Sequence, residues 1–214
     1  MHLTHFGHSC VLVELGGTKI LFDPGNLSHG FEGVTDLDAI MITHQHPDHV
    51  DTTRLPALVD GNPGAARYAD PQTAQQLGGD WTPVRPGDEF DVANVHVAGT
   101  GGMHAVIHPD IPLIDNIAYL VGDAENRARF MHPGDSLFVP DEKVDVLALP
   151  AAAPWLKIWE SIDYLRAVAP RVAVPIHHGI LGDAGRGIFF GRYPEMAPEG
   201  TEFRVVADEE SVEL

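Results

Sequence analysis

The sequence predicts an α/β fold in which two β-sheets pack together with helices on the outside. Strand-like runs dominate the chain, and helical patterns stand between them at intervals rather than in one half. The predicted strands cover residues 9–14, 19–22, 39–43, 89–98, 117–122, 144–149 and 171–176, and the predicted helices cover Pro71–Leu77 and 155–169.

The length of the chain, 214 residues, fits one domain with a sizeable core. We therefore expect a single domain over residues 1–214. No run reaches the roughly 18 consecutive apolar residues that a membrane span needs, so no membrane association is expected. The first residues, MHLTHFGHSCVLVE, lack the features of a signal peptide. Together with a single cysteine, Cys10, this favours a cytoplasmic protein without disulfides.

Acidic residues outnumber basic residues by 31 to 13, which gives a formal net charge of −18 at pH 7. Such a chain repels a polyphosphate backbone, so nucleic acid is not expected as a partner. The acidity otherwise fits a well solvated surface. A small-molecule substrate is the expected partner, and a homo-oligomer is left open.

The first predicted strands are short and are separated by Gly16-Gly17 and by a loop over residues 23–33. This spacing is typical of a meander or a sandwich sheet. In the strand 9–14, Cys10 stands among apolar neighbours, which predicts a small buried side chain rather than a nucleophile. The helix Pro71–Leu77 is predicted because Asp70 is able to cap it and a proline occupies its first position.

In the C-terminal half, the strand 144–149 leads through the small-residue segment 150–154 into the helix 155–169. Trp155 and Trp159 lie four residues apart and are expected to form the apolar stripe of that helix. The alternative places Trp155 on a pocket wall. The glycine-rich stretch 179–190 is expected to be either a mobile flap or a plain surface loop.

The strongest chemical signal follows the apolar strand 39–43 and is the run THQHPDH, residues 43–49. Its four candidate ligands lie within six residues. His44 and His46, two apart, are able to approach one ion from the same side, whereas Asp48 and His49 are able to turn toward a second ion. The spacing therefore predicts two adjacent metal ions.

This run resembles the H-x-H-x-D-H signature of the metallo-β-lactamase superfamily. The segments GGMH at 101–104, HPGDS at 132–136 and VPIH at 174–177 resemble the later ligand motifs of that superfamily, in the same order. HFGHS at 5–9 and FDPG at 22–25 resemble the lactonase-like branch that includes relatives of L-ascorbate 6-phosphate lactonase. The resemblance implies an αββα sandwich of two mixed β-sheets flanked by helices.

The resemblance also implies a ligand set and a cofactor. The first metal would be bound by His44, His46 and His104, the second by Asp48, His49 and His177, and Asp135 would bridge them. The implied cofactor is a pair of divalent ions, with zinc preferred and manganese or iron as alternatives.

Other polar residues lie close to these motifs in the sequence. His108 follows the same glycine pair as His104, and His178 adjoins His177 on a strand end where neighbouring side chains point in opposite directions. We prefer His104 and His177 as ligands. His8, His108 and His178 are left as candidate substrate-binding residues, and His132 is expected to be structural. His8 is expected either on the pocket wall or in contact with a metal ligand without binding the metal itself. Asp23 is expected either to accept a hydrogen bond from a ligand histidine or to cap its loop.

Two such ions generate hydroxide near neutral pH and polarise a carbonyl or phosphoryl oxygen. We therefore expect a metal-dependent hydrolase in which a hydroxide bridged by two metal ions cleaves a small ester, lactone or phosphoester. Asp48 is the expected catalytic residue, orienting that hydroxide and helping to move its proton. The alternatives are a non-haem iron oxidoreductase on the same fold and a non-catalytic metal-binding protein. A nuclease is disfavoured by the net charge.

Overall fold

The computed structural model describes residues 1–214 and contains fourteen strands and four helices. The helices are α1 Leu55–Gly61, α2 Pro71–Leu77, α3 Ile158–Val168 and α4 Asp183–Met196. The strands are β1 His2–His5, β2 Val11–Leu15, β3 Thr18–Phe22, β4 Ala39–Ile42, β5 Ala66–Ala69, β6 Thr82–Pro83, β7 Glu89–Val92, β8 Val95–Met103, β9 Asp115–Gly122, β10 Phe130–His132, β11 Val146–Pro150, β12 Val172–Ile176, β13 Glu202–Phe203 and β14 Ser211–Glu213.

The strands form two seven-stranded sheets, ordered β14-β1-β2-β3-β4-β5-β6 and β13-β12-β11-β10-β9-β8-β7. Both sheets are mixed. In the first, β14 to β3 pair antiparallel and β3 to β6 pair parallel. In the second, β13 to β10 pair parallel and β10 to β7 pair antiparallel.

The layers follow from the alternation of side chains along the strands. In β2, Val11 and Val13 belong to the core between the two sheets, whereas Leu12 belongs to a second core beneath α1 and α2. A third core lies between the second sheet and the pair α3 and α4. Each fully buried aliphatic side chain contributes about 1.5–3 kcal/mol through burial. The observed order is helices, sheet, sheet, helices, so the predicted αββα sandwich is confirmed.

Helix α2 has the predicted bounds. Asp70 accepts hydrogen bonds from the backbone N–H groups of Gln72 and Thr73, and Pro71 occupies the first turn. Helix α3 begins at Ile158, later than the predicted residue 155, because the Glu160 side chain accepts from the Lys157 backbone N–H and sets the N-terminus there.

The interpretation of residues 179–190 as a plain surface loop is wrong from Asp183 onward, where α4 begins. The mobile flap stays a prediction. The stretch is rich in glycine, which lowers its helix propensity. Tertiary packing outweighs that cost. Tyr193 is fully buried, its ring stacks on Phe203 at a centroid distance of 4.9 Å, and its hydroxyl donates to the Ala151 carbonyl.

The pairing directions bring several strand ends to one edge of the sandwich. β1, β3 and β4 run parallel to one another in the first sheet, and β8, β10, β11 and β12 do so in the second. The loops that follow these strands carry the candidate ligands, and we call this edge the rim. None of the helices combines the length and apolar character needed to cross a membrane.

Candidate metal centre

At the rim, four side chains form the first cluster: His44, His46, His104 and Asp135, whose donor atoms lie within 4.8 Å of one another. His44 Nε2 lies 3.0 Å from His46 Nδ1, and His104 Nε2 lies 3.2 Å from Asp135 Oδ2. Three of the four residues are buried, and His46 is half-buried. The predicted ligands of the first metal are therefore brought together.

The second cluster contains His8, Asp48, His49 and His177, again with donor atoms within 4.8 Å. His177 Nε2 lies 3.4 Å from Asp48 Oδ2. Three of these residues are the predicted ligands of the second metal. The fourth, His8, was expected at a pocket wall or beside the ligands, and its Nε2 lies 3.0 Å from Asp48 Oδ2.

Asp135 lies between the clusters. Its Oδ1 is 3.0 Å from His49 Nε2, and its Oδ2 is 3.2 Å from both His104 Nε2 and His177 Nε2. One carboxylate thus contacts members of both clusters, which is the arrangement expected of a bridging ligand.

The ring nitrogens that face away from the clusters show where the imidazole protons are. The Nδ1 atoms of His49, His104 and His177 lie 2.6, 2.5 and 2.7 Å from Asp23 Oδ2, the Ala105 carbonyl and the Ala152 carbonyl. These oxygens only accept hydrogen bonds, so each Nδ1 carries a proton and each Nε2 is the ring nitrogen left to bind a metal ion.

Those inward atoms meet no hydrogen-bond partner. The Nε2 atoms of His49, His104 and His177 and the Oδ1 of Asp135 are buried and unsatisfied, a costly state for polar groups unless a ligand is bound. Imidazole nitrogens with carboxylate oxygens suit zinc, manganese and iron. The residues present therefore fit divalent metal ions.

Electrostatics are consistent with cation binding. Burial would raise the pKa of Asp135, but the neighbouring His49 and His177 hold it well below its usual range. Burial would lower the pKa of His177, but Asp135 and Asp48 raise it to about 9. Without a metal the carboxylate is thus ionised and His177 carries a second proton, on Nε2, which a bound cation would displace.

Asp23 anchors the ligand run from behind. Its Oδ1 accepts from the Thr43 backbone N–H and its Oδ2 from the Thr43 hydroxyl, both at 2.7 Å, besides the contact with His49. The hydroxyl, having donated its own proton, accepts from His44 Nδ1 at 3.0 Å. Of the two interpretations of Asp23, the structure supports the ligand partner.

Two close backbone approaches require glycine. A Cβ on Gly25 would lie 1.8 Å from the Asp48 carbonyl oxygen, so this position seats the ligand run. Gly134 has a φ of +59°, and a Cβ there would lie 2.2 Å from Asn116 Oδ1. Asn116 in turn accepts from the Asp135 N–H and donates to the Pro133 carbonyl, fixing the turn. No sequence motif pointed to Asn116.

Trp155 corrects another expectation. It precedes α3, and its indole Nε1 donates to Asp135 Oδ2 at 2.7 Å, whereas Trp159 is exposed. The two residues therefore form no buried apolar stripe. The alternative interpretation, a wall of the site, describes Trp155 correctly, because its ring lies 6.0 Å from His104 and 6.4 Å from His177.

The remaining predicted residues lie outside both clusters. His108 is exposed and its Nδ1 accepts from the Asp110 N–H. His178 is buried, with its ring 5.1 Å from His5 and 5.5 Å from Phe190. His132 has the expected structural role, since its Nε2 donates to the Ser9 carbonyl and its Nδ1 accepts from Gly134.

An apolar loop flanks the first cluster. In the loop 105–114, Ala105, Ile107 and residues 111–114 line a small recess together with His46 and His104. Much of this loop's apolar surface faces solvent; the exposed side chains at and beside it are Met103, Val106, Ile111 and Leu113. The candidate ligands His46 and His104 thus adjoin apolar side chains on the loop side of the recess.

Comparison with known proteins agrees with this geometry. The Beta-lactamase superfamily domain matches residues 2–177 of the chain, a span that includes every member of both clusters. The chain belongs to the beta-lactamase superfamily. The superfamily that the motifs predicted is therefore confirmed.

Sequence relatives narrow the family. Protein Rv0786c of Mycobacterium tuberculosis is 63% identical over 212 residues, covering 99% of both chains. A UPF0173 metal-dependent hydrolase of Methanoregula boonei is 37% identical over 198 residues, covering 83% of this chain and 82% of the relative. A UPF0173 protein of Pyrococcus furiosus is 31% identical over 195 residues, covering 86% of each. The chain is thus a member of the UPF0173 metal-dependent hydrolases, and the predicted enzyme class is confirmed.

Solved structures confirm the fold. The metallo hydrolase Igni18 of Ignicoccus hospitalis superposes with a TM-score of 0.74 at 22% identity, covering 99% of this chain and 97% of that one. The metallo-beta-lactamase fold protein YhfI of Bacillus subtilis gives 0.72 at 15% identity, covering 99% and 98%. CmlA, a diiron β-hydroxylase of Streptomyces venezuelae, gives 0.69 at 16% identity, covering all of this chain and 54% of that one.

Proposed function

We propose that the rim holds two divalent metal ions and hydrolyses a small ester, lactone or phosphoester. The observation that carries this proposal is the pair of adjoining clusters whose inward atoms are buried and unpartnered, with Asp135 in contact with both. Two ions held there would supply a hydroxide near neutral pH and polarise the substrate oxygen.

The two carboxylates of the site differ in access. Asp135 is nearly buried, with 4% of its side chain exposed, and is held by the indole of Trp155. Asp48 keeps 25% of its side chain exposed. In this proposal Asp135 is the bridging ligand. Asp48, besides ligating, accepts a hydrogen bond from the attacking water and orients it toward the substrate.

Burial would raise the pKa of Asp48, but the neighbouring imidazoles of His177 and His8 lower it below its usual range. Asp48 is therefore ionised at neutral pH, so its carboxylate is able to accept a hydrogen bond from the attacking water.

The apolar loop indicates the kind of substrate. Ile107, Ile111 and Leu113 share the recess with His46 and His104. We infer that the substrate carries an apolar group beside the cleaved bond, and that an ester or lactone fits better than a phosphoester. His108 lies on the same loop and stays a candidate substrate contact. For the buried His178, contact with the substrate also stays a prediction.

Elemental analysis and a substrate screen test the proposal. Protein purified without added metal is expected to contain about two ions per chain. Chelation should abolish hydrolysis of nitrophenyl esters, lactones or phosphodiesters, and zinc, manganese or iron should restore it. Hydrolysis that survives complete metal removal would overturn the proposal, as would failure of the reconstituted chain to bind metal.

A second screen tests the substrate class. A Leu113→Ser variant is expected to lose several-fold more kcat/KM on a long-chain nitrophenyl ester than on nitrophenyl acetate, because lost apolar contact is worth about 0.8 kcal/mol per buried methylene. Val139→Ser, an exposed apolar residue outside the recess, serves as the matched control. Equal losses on both esters would contradict the proposed contact.

An iron-dependent oxidoreductase is the second candidate. The nitrogen and oxygen donor set also suits non-haem iron, and CmlA shows that a diiron β-hydroxylase shares this fold. Oxygen consumption that requires iron, together with hydrolysis that no metal supports, would favour this candidate.

Location and assembly are also proposals. We infer a cytoplasmic protein, because the single cysteine, Cys10, is buried and unpaired. Burial raises the pKa of its thiol, which agrees with a structural side chain rather than a nucleophile. A single domain over residues 1–214, a small-molecule substrate without nucleic acid or membrane partners, and a homo-oligomer stay predictions.

A further inference from the structure

His8 lies in the turn between β1 and β2 and approaches the second cluster from outside the signature run. It is buried, its ring centroid lies 4.2 Å from that of His177, and its Nε2 lies 3.0 Å from Asp48 Oδ2. By distance alone it qualifies as a fourth donor to the second ion. A site closed by four protein donors is typical of structural metals, whereas a catalytic site keeps a position open. The role of His8 therefore bears on catalysis.

The outer nitrogen of His8 decides which role it has. The backbone N–H of Gly179 donates to His8 Nδ1 at 3.1 Å. A backbone amide only donates, so Nδ1 must present a lone pair, and the single proton of the neutral ring is on Nε2. That Nε2–H points at Asp48 and cannot ligate a metal while it carries the proton.

This pattern is the reverse of that in the ligand histidines. His49, His104 and His177 each direct an outer N–H at an oxygen and an inner lone pair at the centre. His8 directs an outer lone pair at an N–H and an inner N–H at the centre. The same pattern of an accepting Nδ1 and a donating Nε2 occurs at His132, which is structural.

The backbone holds His8 in this orientation. The His177 N–H donates to the His8 carbonyl at 2.8 Å, two residues before the bond from Gly179. A Cβ on residue 179 would lie 3.0 Å from His8 Nδ1, so glycine there permits the close approach. His8 also has a φ of +49°, a strained conformation that persists only where surrounding bonds determine it.

We propose that His8 is a positioning residue and not a metal ligand: its Nε2–H holds the carboxylate of Asp48 and leaves a coordination position of the second ion open for water and substrate. This inference rests on the proposed two-metal function. It assigns the second ion the donors of Asp48, His49 and His177 with the bridging Asp135, and it gives the loop between β1 and β2 a direct part in orienting Asp48.

The first test is NMR of the wild-type chain, which needs no variant. Long-range ¹H–¹⁵N correlation spectra report the protonation of each ring nitrogen. In the zinc-loaded protein, His8 is expected to show a protonated Nε2 and an unprotonated Nδ1, whereas His49, His104 and His177 show metal-bound Nε2 atoms. A metal-bound Nε2 at His8 would overturn the inference.

Variants give the second test. His8→Gln keeps an N–H donor near the position of Nε2, whereas His8→Ala removes it. Both variants are expected to retain the wild-type zinc content and the wild-type visible spectrum when loaded with cobalt. His8→Ala should lose about 10- to 100-fold in kcat, the cost of losing a partner of a ligand, and His8→Gln should recover most of it. Loss of one ion per chain in both variants would identify His8 as a ligand.

The two proposals fail in different ways. If the wild-type chain binds no metal, the proposed function fails. If it binds two ions but His8 is metal-bound, only the present inference fails. Should a variant not fold, the wild-type spectrum still decides between donor and ligand.

Discussion

The two ends of the β-sandwich differ in how their carboxylates are paired. At the rim, Asp135 faces three imidazole nitrogens that have no partner of their own. At the other end, which we call the base, Asp145 precedes β11 and is paired with Arg171 at 2.8 and 3.1 Å and with Arg129 at 3.5 Å. A cavity of about 430 Å³ adjoins Asp145 and Arg171 at the base.

The two ends differ in whether the polar atoms beside the concave space have hydrogen-bond partners. At the base, the carboxylate of Asp145 is paired with two guanidinium groups. At the rim, the recess is small, yet its polar atoms are orphaned. Several unsatisfied buried atoms gathered in two adjoining clusters, and not the volume of a cavity, distinguish the rim as the metal centre.

Changing one aspartate at each end gives the most direct test of the difference between the rim and the base. Asp135→Asn is expected to reduce the metal content to at most one ion per chain and kcat/KM by more than about 100-fold, because the proposed bridging carboxylate is lost. Asp145→Asn should leave both unchanged and reduce the free energy of unfolding by at most about 1 kcal/mol. Elemental analysis, kinetics and denaturation measure these effects. Equal loss of metal in both variants would show that the ends do not differ as described.

A smaller loss of metal affinity is expected from changing Asp23, which contacts a candidate ligand without facing the metal centre. Asp23→Asn weakens the hold on His49 Nδ1, and the metal affinity should fall by about 10- to 100-fold. Competition with a chromogenic chelator measures it. Asp38→Asn is the control, since Asp38 accepts only from the Lys19 backbone N–H. An unchanged metal affinity in Asp23→Asn would show that the hydrogen bond between His49 Nδ1 and Asp23 does not contribute to metal binding.

Asp70, which caps α2, tests whether burial alone perturbs a carboxylate outside the clusters. Burial raises its pKa to about 6 despite bonds from Thr73 and Gln72 that lower it. A raised pKa in the folded state means that the native chain binds the proton more tightly. The resulting stability is present below about pH 4 and is lost as the pH rises through 6.

The Asp70→Asn variant keeps a capping side chain but does not titrate. Relative to it, metal-free wild type should lose about 2 kcal/mol of unfolding free energy between pH 4 and pH 7. Urea denaturation across this range measures the difference. A constant difference would mean that Asp70 is not perturbed.

The smallest effect is expected at the base. Arg171 is half exposed, with 51% of its side chain accessible. Arg171→Ala should therefore cost less than about 1 kcal/mol in unfolding free energy and leave metal content and kcat/KM unchanged. If Arg171→Ala lost metal, the base would contribute to metal binding, which contradicts the proposed difference between the two ends.

The sequence by itself determined those features that depend on neighbours along the chain. Alternating apolar residues predicted most of the longer strands, and the Asp70-Pro71 pair predicted α2 with its observed bounds. The run 43–49 contributes four members of the two clusters from six consecutive positions, because closely spaced ligands share one loop and their number and type are visible without the fold.

Tertiary structure decided what depends on residues far apart in sequence. Trp155 reaches Asp135 across 20 residues, Asn116 supports the same aspartate across 19, and α4 exists because Tyr193 is buried against Phe203 and Ala151. His8 accepts from Gly179 across 171 residues. A hydrogen bond has a direction, and only the fold shows which partner donates. The sequence therefore identifies histidines as candidate ligands, but the three-dimensional packing determines where their protons are.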